Sequence, residues 1–215
     1  MSKYSHILFD HDGVLVDTEP LYFRATRSCI EELGIELSQY EHLVLMAEGR
    51  NTWELARQVG VREVEVERAR RRRNSLYREF LTSEPIDIEG AEEVLAELSH
   101  CYRIAIVTTA LPEDFDLIHQ NRNIVSKVDF VVTRDAYENS KPHPDPYLVA
   151  MDKFGIGPEV ALAVEDSERG LRSATAAGID CAVVHNEFTA SQDLSEASYR
   201  IQRLSDLLPQ VLNQP

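Results

Sequence analysis

Two pairs of carboxylates follow short apolar segments of this 215-residue sequence. Asp10 and Asp12 come directly after one segment, and Glu165 and Asp166 end another. Four carboxylates in close contact cannot all stay ionised unless a cation offsets their charge. An all-oxygen set, with no His or Cys at ligand spacing, favours Mg²⁺ over zinc. The residues therefore predict a magnesium site, provided that the fold brings the two pairs together.

Two threonines and one lysine complete this set of polar residues. Thr108 and Thr109 follow a third apolar segment, and Lys141 lies in a loop beyond a fourth. Taken singly, each is more often a helix cap or an ordinary loop residue. A lysine charge and a hydroxyl donor beside a magnesium site nevertheless suit a phosphoryl group in transfer, because its catalysis is mainly positioning and charge neutralisation. We therefore expect all three side chains to contact phosphate.

Five apolar segments predict the strands that would position these residues. Their near-continuous apolarity is typical of a parallel sheet covered on both faces. The predicted strands are 6–10, 103–108, 129–132, 160–165 and 181–184. A helix is predicted before the second strand, at 91–98, and three more are predicted after it, at 112–120, 145–154 and 167–177. The alternation predicts a doubly wound, Rossmann-like α/β sheet, in which ligands bind beyond the carboxyl ends of the strands.

A long helical segment separates the first strand from the second. Three stretches within it have helical spacing, and glycines supply breaks between them. These stretches are 19–33, 51–59 and 64–81. We interpret residues 18–84 as a helical cap domain inserted into a catalytic core that comprises residues 1–17 and 85–215.

The longest basic run of the chain, residues 68–73, falls in the last of these helices. Glu67 precedes Arg71 by four residues, which is the favourable order for an ion pair on a helix. The pattern favours a solvated helix face, with a contact patch for a partner or a substrate as the alternative.

The overall charge and the cysteines limit the classes of partner and compartment. A formal net charge of −15 argues against nucleic acid or an acidic membrane surface as a partner. No apolar segment approaches the length of a membrane span. Cys29, Cys101 and Cys181 form no CxxC pair, so neither a disulfide framework nor a zinc site is indicated. We expect a cytoplasmic protein that is a monomer, with a weak dimer as the alternative.

Four segments of the sequence resemble, in the same order, the four motifs of the haloacid dehalogenase-like (HAD) hydrolases. Residues 9–19, FDHDGVLVDTE, are similar to the first motif, Thr108 to the second, Lys141 to the third, and residues 165–167 to the fourth. The helical segment after the first motif resembles the family branch with a helical cap. That branch includes β-phosphoglucomutases and many phosphatases of small metabolites.

This resemblance implies a role for each residue. Asp10 would be the nucleophile that forms an aspartyl-phosphate, and Asp12 the general acid and base. Thr108 and Lys141 would hold the transferring phosphate. The implied Mg²⁺ ligands are Asp10, Asp12 through its backbone carbonyl, Glu165 and Asp166.

Departures from the family patterns favour hydrolysis of a phosphate ester. Asp12 is an acid that true dehalogenases lack, and no lysine between Lys3 and Lys127 is available for the Schiff base of phosphonate-cleaving relatives. Tyr22 stands where phosphoglucomutase-like members have a gating histidine, and residues 110–112 offer little to a second phosphate. The sequence predicts a Mg²⁺-dependent phosphatase of a sugar or polyol phosphate. A phosphosugar mutase and a non-catalytic interaction protein are the alternatives.

Substrate choice is expected to lie with the cap. Residues 48–51 stand where a cap loop of this branch approaches the active site, and a guanidinium fork suits phosphate or carboxylate, so Arg50 is the leading candidate. Arg73 and Asn74 are further candidates. His11, between the two catalytic acids, is interpreted as a position where only the backbone matters.

Overall fold

A computed structural model describes residues 3–212 and contains one six-stranded parallel sheet. The strands are β1 (His6–Phe9), β2 (Arg103–Val107), β3 (Phe130–Val132), β4 (Ala161–Glu165), β5 (Asp180–Val184) and β6 (Tyr199–Ile201). Their order is β3-β2-β1-β4-β5-β6, and every neighbouring pair is parallel. The predicted α/β fold is thereby confirmed. β6 was not predicted, because it has only three residues and an exposed arginine at its centre.

The helices fall into two groups along the chain. Four lie between β1 and residue 84: α1 (Glu19–Glu31), α2 (Gln39–Ala47), α3 (Trp53–Gln58) and α4 (Glu63–Ser83). The others are α5 (Ala91–Leu98), α6 (Pro112–His119), α7 (Asp145–Phe154) and α8 (Glu168–Ala176). All agree with predicted helices except α2, which the sequence analysis missed. Within residues 3–212, no helix is both long and apolar enough to span a membrane.

Both faces of the sheet are covered by apolar side chains. Ile7 and Phe9 of β1 join the core on the side of α5 and α6. Leu8 points to the opposite side and joins the core that α7 and α8 provide. Because both faces are buried, successive residues of the central strands must be apolar, which explains the continuous pattern.

Helices α1–α4 pack against the sheet region, since Leu21, Tyr77 and Leu81 join the core that contains Phe9. We call residues 18–84 the helical insertion. Its apolar cluster includes Ile30, Trp53 and Val66, and Phe188 of the sheet region joins that cluster. The exact boundaries of the insertion as a domain stay a prediction.

The basic run 68–73 divides between two faces of α4. Arg68, Arg71 and Arg72 are exposed, as the solvated-face interpretation expects. Arg73 differs, since it is 7% exposed and shares a stripe with buried residues on the same helix. The solvated-face interpretation is therefore wrong for Arg73.

Strand register explains why the predicted polar residues meet. Phe9 is in register with Ile106 of β2 on one side and with Val164 of β4 on the other. The residues that follow these positions emerge at one edge of the sheet. β1 is also the strand at which the chain order reverses, and such a reversal is where open α/β sheets bind their ligands.

Candidate active site

Three of the four predicted metal-binding carboxylates meet at the end of β1 and β4. One oxygen of each of Asp10, Glu165 and Asp166 lies within 4.8 Å of the others, and all three residues are buried. Asp166 Oδ1 and Glu165 Oε2 have no hydrogen-bond partner within residues 3–212. Burial and the neighbouring carboxylates raise the pKa of Asp166 well above its usual range. A small hard cation would satisfy these oxygens, so the residues fit Mg²⁺.

Two glycines let the backbone close around these carboxylates. A Cβ atom at Gly13 would overlap the carboxylate of Asp166, and φ there is +85°. A Cβ atom at Gly170 would overlap the carboxylate of Glu165. Any side chain at either position would displace a member of the cluster.

Lys141 supplies the positive charge that the cluster needs. Its Nζ donates to Asp10 Oδ1 at 2.6 Å, to Glu165 Oε1 at 2.8 Å and to the Val107 carbonyl at 2.8 Å. Burial would lower the pKa of this amine, but the attraction of Asp10 and Glu165 outweighs it and raises the pKa above its usual range. The hydroxyl of Tyr147 also donates to Glu165 Oε1, at 2.6 Å. Lys141 therefore stays charged against the carboxylate of Asp10.

Asp12 is held apart from the cluster by hydroxyl donors. Thr18 Oγ1 donates to its Oδ1, and Thr108 Oγ1 donates to its Oδ2 at 3.2 Å. His11 Nδ1 lies 3.2 Å from the same Oδ2. Burial alone would raise the pKa of Asp12. His11 and Thr18 lower the pKa by more than burial raises it, so the pKa of Asp12 is below its usual range. Thr108, predicted to hold phosphate, thus also fixes the carboxyl of Asp12.

A cavity of about 380 Å³ separates this edge of the sheet from the helical insertion. Such a volume is within the range of small-molecule sites. From the sheet it is lined by Asp12, Thr109, Ala110, Leu111, Lys141 and Arg169. From the insertion it is lined by Tyr22, His42, Arg50, Trp53, Arg73 and Asn74, among others. Predicted candidates from both regions, among them Asp12, Lys141 and Arg50, therefore face one space.

The arginines on this cavity differ in how their charge is paired. Arg50 is bonded to Glu48 and to Glu54, each at 3.0 Å. Arg169 is bonded to Glu19 at 3.0 Å. Both guanidinium groups therefore already have carboxyl partners.

Arg73 is the exception among the cations that line the cavity. Its guanidinium donates to Thr26 Oγ1 at 3.2 Å and to Asn74 Oδ1 at 2.8 Å, and it lies over the ring of Tyr22 at 4.3 Å. Among residues 3–212, no carboxylate lies within ion-pair distance of Arg73. A buried guanidinium without a counter-charge, beside an open cavity, is suited to an anionic ligand.

Comparison with known proteins identifies the family. Residues 7–184 match the model of the family described as haloacid dehalogenase-like hydrolase. The chain belongs to this family. The prediction that it is a hydrolase with the HAD fold is therefore confirmed.

Relatives of this HAD hydrolase include named phosphatases. It is 31% identical over 189 residues to the phosphorylated carbohydrates phosphatase of Thermotoga maritima, covering 84% of this chain and 85% of that protein. It is 25% identical over 184 residues to the fructose-1-phosphate phosphatase of Escherichia coli, covering 83% and 95%.

Solved structures agree with the fold of this HAD hydrolase. CbbY from Rhodobacter sphaeroides in complex with phosphate has a TM-score of 0.80 at 24% identity, covering 95% of this chain and 96% of that chain. A β-phosphoglucomutase from Clostridium difficile has a TM-score of 0.79 at 21% identity, covering 95% and 93%. At these identities the likeness supports the fold alone.

Sequence reasoning gave no role to Glu19 and Arg169, although both border the cavity of this HAD hydrolase. A usable signal was present for Arg169, since it lies in the first turn of α8, directly after the strand that ends in Glu165. Burial raises the pKa of Glu19 to about 7, although Arg169 opposes the shift. Their pairing links the start of the insertion to α8.

Proposed function

We propose that this HAD hydrolase is a Mg²⁺-dependent phosphatase that cleaves a sugar or polyol phosphate through an aspartyl-phosphate on Asp10. The observation that carries the proposal is the placement of Asp10. Its carboxylate lies within the cluster that includes Asp166 and accepts a hydrogen bond from a charged Lys141, which lines the cavity between the sheet and the helical insertion. The named activities of the relatives support a phosphorylated carbohydrate as the substrate class.

The first chemical step would transfer the phosphoryl group to Asp10. The negative charge of a bound phosphate opposes the low pKa of Asp12, so Asp12 enters this step protonated. A carboxylate oxygen of Asp10 attacks phosphorus, and the ester P–O bond breaks as Asp12 gives its proton to the leaving alcohol. Lys141 stabilises the negative charge of the phosphoryl oxygens. Asp12 is then a carboxylate, and the proton has left with the alcohol.

The second step would release phosphate and restore the enzyme. Asp12 takes a proton from water, the water oxygen attacks phosphorus, and the bond to Asp10 breaks. Thr18 and Thr108 keep Asp12 in place for both transfers, since they donate to its two oxygens. Mg²⁺, when bound by Asp10, Glu165, Asp166 and the backbone carbonyl of Asp12, would supply positive charge that offsets the phosphoryl group.

The insertion would recognise the rest of the substrate. Arg73 is the cavity-lining cation without a carboxylate partner in the described residues, so a second anionic or strongly polar group of the substrate would bind there. Arg50 stays a candidate contact, although Glu48 and Glu54 compete for its guanidinium.

The experiment is a phosphate-release screen of purified protein with Mg²⁺ over sugar and polyol phosphates, together with Asp10→Asn. We expect turnover of at least one sugar or polyol phosphate by the wild-type protein and its loss in Asp10→Asn. Asp152→Asn, at an exposed position of α7, is the matched control and should keep the wild-type rate. Equal rates in wild type and Asp10→Asn would refute the nucleophile.

The same screen tests the two alternatives. A mutase would convert a sugar 1-phosphate to the 6-phosphate without releasing phosphate, which a coupled sugar assay detects. A non-catalytic interaction protein would turn over none of the panel, while reversing the charges of residues 70–73 would abolish capture of its partner.

A further inference from the structure

The ring of His11 is completely buried and has a hydrogen-bond partner at each nitrogen. Its Nδ1 lies 3.2 Å from Asp12 Oδ2, and its Nε2 lies 2.9 Å from Nε2 of His119, the last residue of α6. Phe115 of α6 packs against both rings, with centroid distances of 4.9 Å to His11 and 4.4 Å to His119. His119 is thus connected through His11 to Asp12, the proposed general acid.

The unpaired nitrogen of His119 shows which of the two histidines donates the hydrogen bond between them. Two Nε2 atoms at 2.9 Å share one proton, so one ring donates and the other accepts. Nδ1 of His119 is buried without a hydrogen-bond partner within residues 3–212. If His119 were the acceptor, its own proton would be on that Nδ1 as an unpaired buried N–H, which is rarer than an unpaired acceptor. His119 is therefore the donor.

A neutral His119 agrees with this assignment. Burial lowers the pKa of His119 to about 3, so its ring carries a single proton at neutral pH. That proton lies between the two rings. A His11 ring that accepts at Nε2 has its own proton on Nδ1, where it points at Asp12 Oδ2.

Asp12 then receives hydrogen bonds from three directions. The hydroxyls of Thr18 and Thr108 are two of the donors, and the N–H of His11 is the third. Fixed donors restrict the carboxyl to one orientation and stabilise the negative charge that remains after its proton has left.

We propose that His119, acting through His11, is a positioning residue for Asp12 as general acid. The inference rests on the proposed function, because it concerns the proton that Asp12 gives to the leaving alcohol. An alkoxide needs that proton as the ester bond breaks, whereas p-nitrophenolate is a good leaving group without it. Disturbing the two histidines should therefore slow alkyl phosphates more than p-nitrophenyl phosphate.

The experiment compares kcat/KM for the best alkyl phosphate of the screen with kcat/KM for p-nitrophenyl phosphate, both with Mg²⁺. In His119→Phe, which keeps a ring of similar size but removes the donor, the ratio of alkyl to aryl ester should fall by about tenfold or more, a part of the usual contribution of general acid catalysis. In His119→Gln, whose amide N–H can still donate to His11, the ratio should return to within about threefold of wild type.

Ile118→Val is the control for packing, because it removes a methyl group from the buried face of α6 and keeps both histidines and Phe115. Any change in rate should be the same for both esters in this variant, with an unchanged ratio. Circular dichroism checks that each variant is folded. A parallel fall for both esters in His119→Phe, no change for either, or no recovery in His119→Gln would overturn the positioning role alone. No turnover of either ester by the wild-type protein would overturn the proposed function and this inference with it.

Discussion

The sheet edge and the helical insertion both present a buried cation to the cavity, but they pair its charge differently. Lys141, at the sheet edge, is bonded to the carboxylates of Asp10 and Glu165. Arg73, on the insertion, has the neutral oxygens of Thr26 and Asn74 as its hydrogen-bond partners. A buried cation that is bonded to carboxylates is part of the fold, while a buried cation without a counter-charge is available to a ligand. Removing each should therefore have different consequences.

The largest effect is expected at the sheet edge, for Lys141→Met. Two buried carboxylates would lose their cation, and leaving a buried charge unpaired typically costs about 3–5 kcal/mol of unfolding free energy. Phosphatase activity should fall about 10³-fold or more, because the phosphoryl charge also loses its stabilising group. Denaturant unfolding and phosphate release measure the two effects.

Lys153→Met is the control for that experiment, since Lys153 is an exposed residue of α7. It should change the unfolding free energy by less than about 0.5 kcal/mol. If Lys141→Met unfolded at the same denaturant concentration as wild type, Lys141 would not be needed for the fold and would not differ from Arg73 in that respect.

The next effect concerns a neutral group that the insertion buries. His42 of α2 is 1% exposed, with Nδ1 at 3.3 Å from Thr52 Oγ1, and burial lowers its pKa from 6.5 to about 4. The folded protein binds this proton less readily than the unfolded chain. The contribution of His42 to stability is therefore complete above pH 6.5 and is lost as the pH falls from 6.5 towards 4. A shift of this size corresponds to about 3 kcal/mol.

His42→Phe should remove that contribution, because the phenyl ring can pack beside Tyr22 and Phe23 without titrating. The loss of unfolding free energy between pH 7 and pH 4 should be smaller by about 3 kcal/mol than in wild type. His100→Phe, at an exposed position, is the matched control. Identical slopes in wild type and His42→Phe would contradict the burial of a neutral histidine.

Arg73→Met tests whether the buried cation without a carboxylate partner binds the substrate. The fold should tolerate it with a change below about 1 kcal/mol, because no counter-charge is left unpaired. KM for the sugar or polyol phosphate should rise about 10- to 100-fold, as expected when a hydrogen bond to a charged group is lost. Arg71→Met, two residues earlier on the exposed face of α4, should leave KM unchanged. Equal effects of the two substitutions would show that Arg73 does not contact the substrate.

The chemistry of the sheet edge could be predicted because it depends on strand ends. Asp10 and Glu165 directly follow or end buried strands of five residues or fewer, and parallel strands bring those ends to one edge. The contacts of His11 and Arg73 could not be predicted in the same way. They depend on which face of α6 or α4 turns inward, and charge patterning alone suggested that the basic run was solvated.

Helix α2 is the one α-helix of residues 3–212 that was not predicted from the sequence. α2 lies where no helix was predicted, although Ser38 and Glu41 match the S-x-x-E pattern of a capping box. The short apolar stretch that follows was too brief to indicate a period. In the structure, Glu41 N–H donates to Ser38 Oγ at 3.2 Å and Ser38 N–H donates to Glu41 Oε2 at 3.1 Å.

The smallest effect is expected for Ser38→Ala, which removes the cap of α2 but touches neither charged centre. Loss of an N-cap serine costs about 1 kcal/mol of unfolding free energy. Because α2 carries His42 and leads into the loop of Arg50, fraying of its first turn should also raise KM slightly while kcat at the sheet edge stays unchanged. Ser75→Ala, at an exposed position inside α4, is the matched control and should not lower stability. A fall in kcat as large as the rise in KM would mean that the insertion and the sheet edge are not separable.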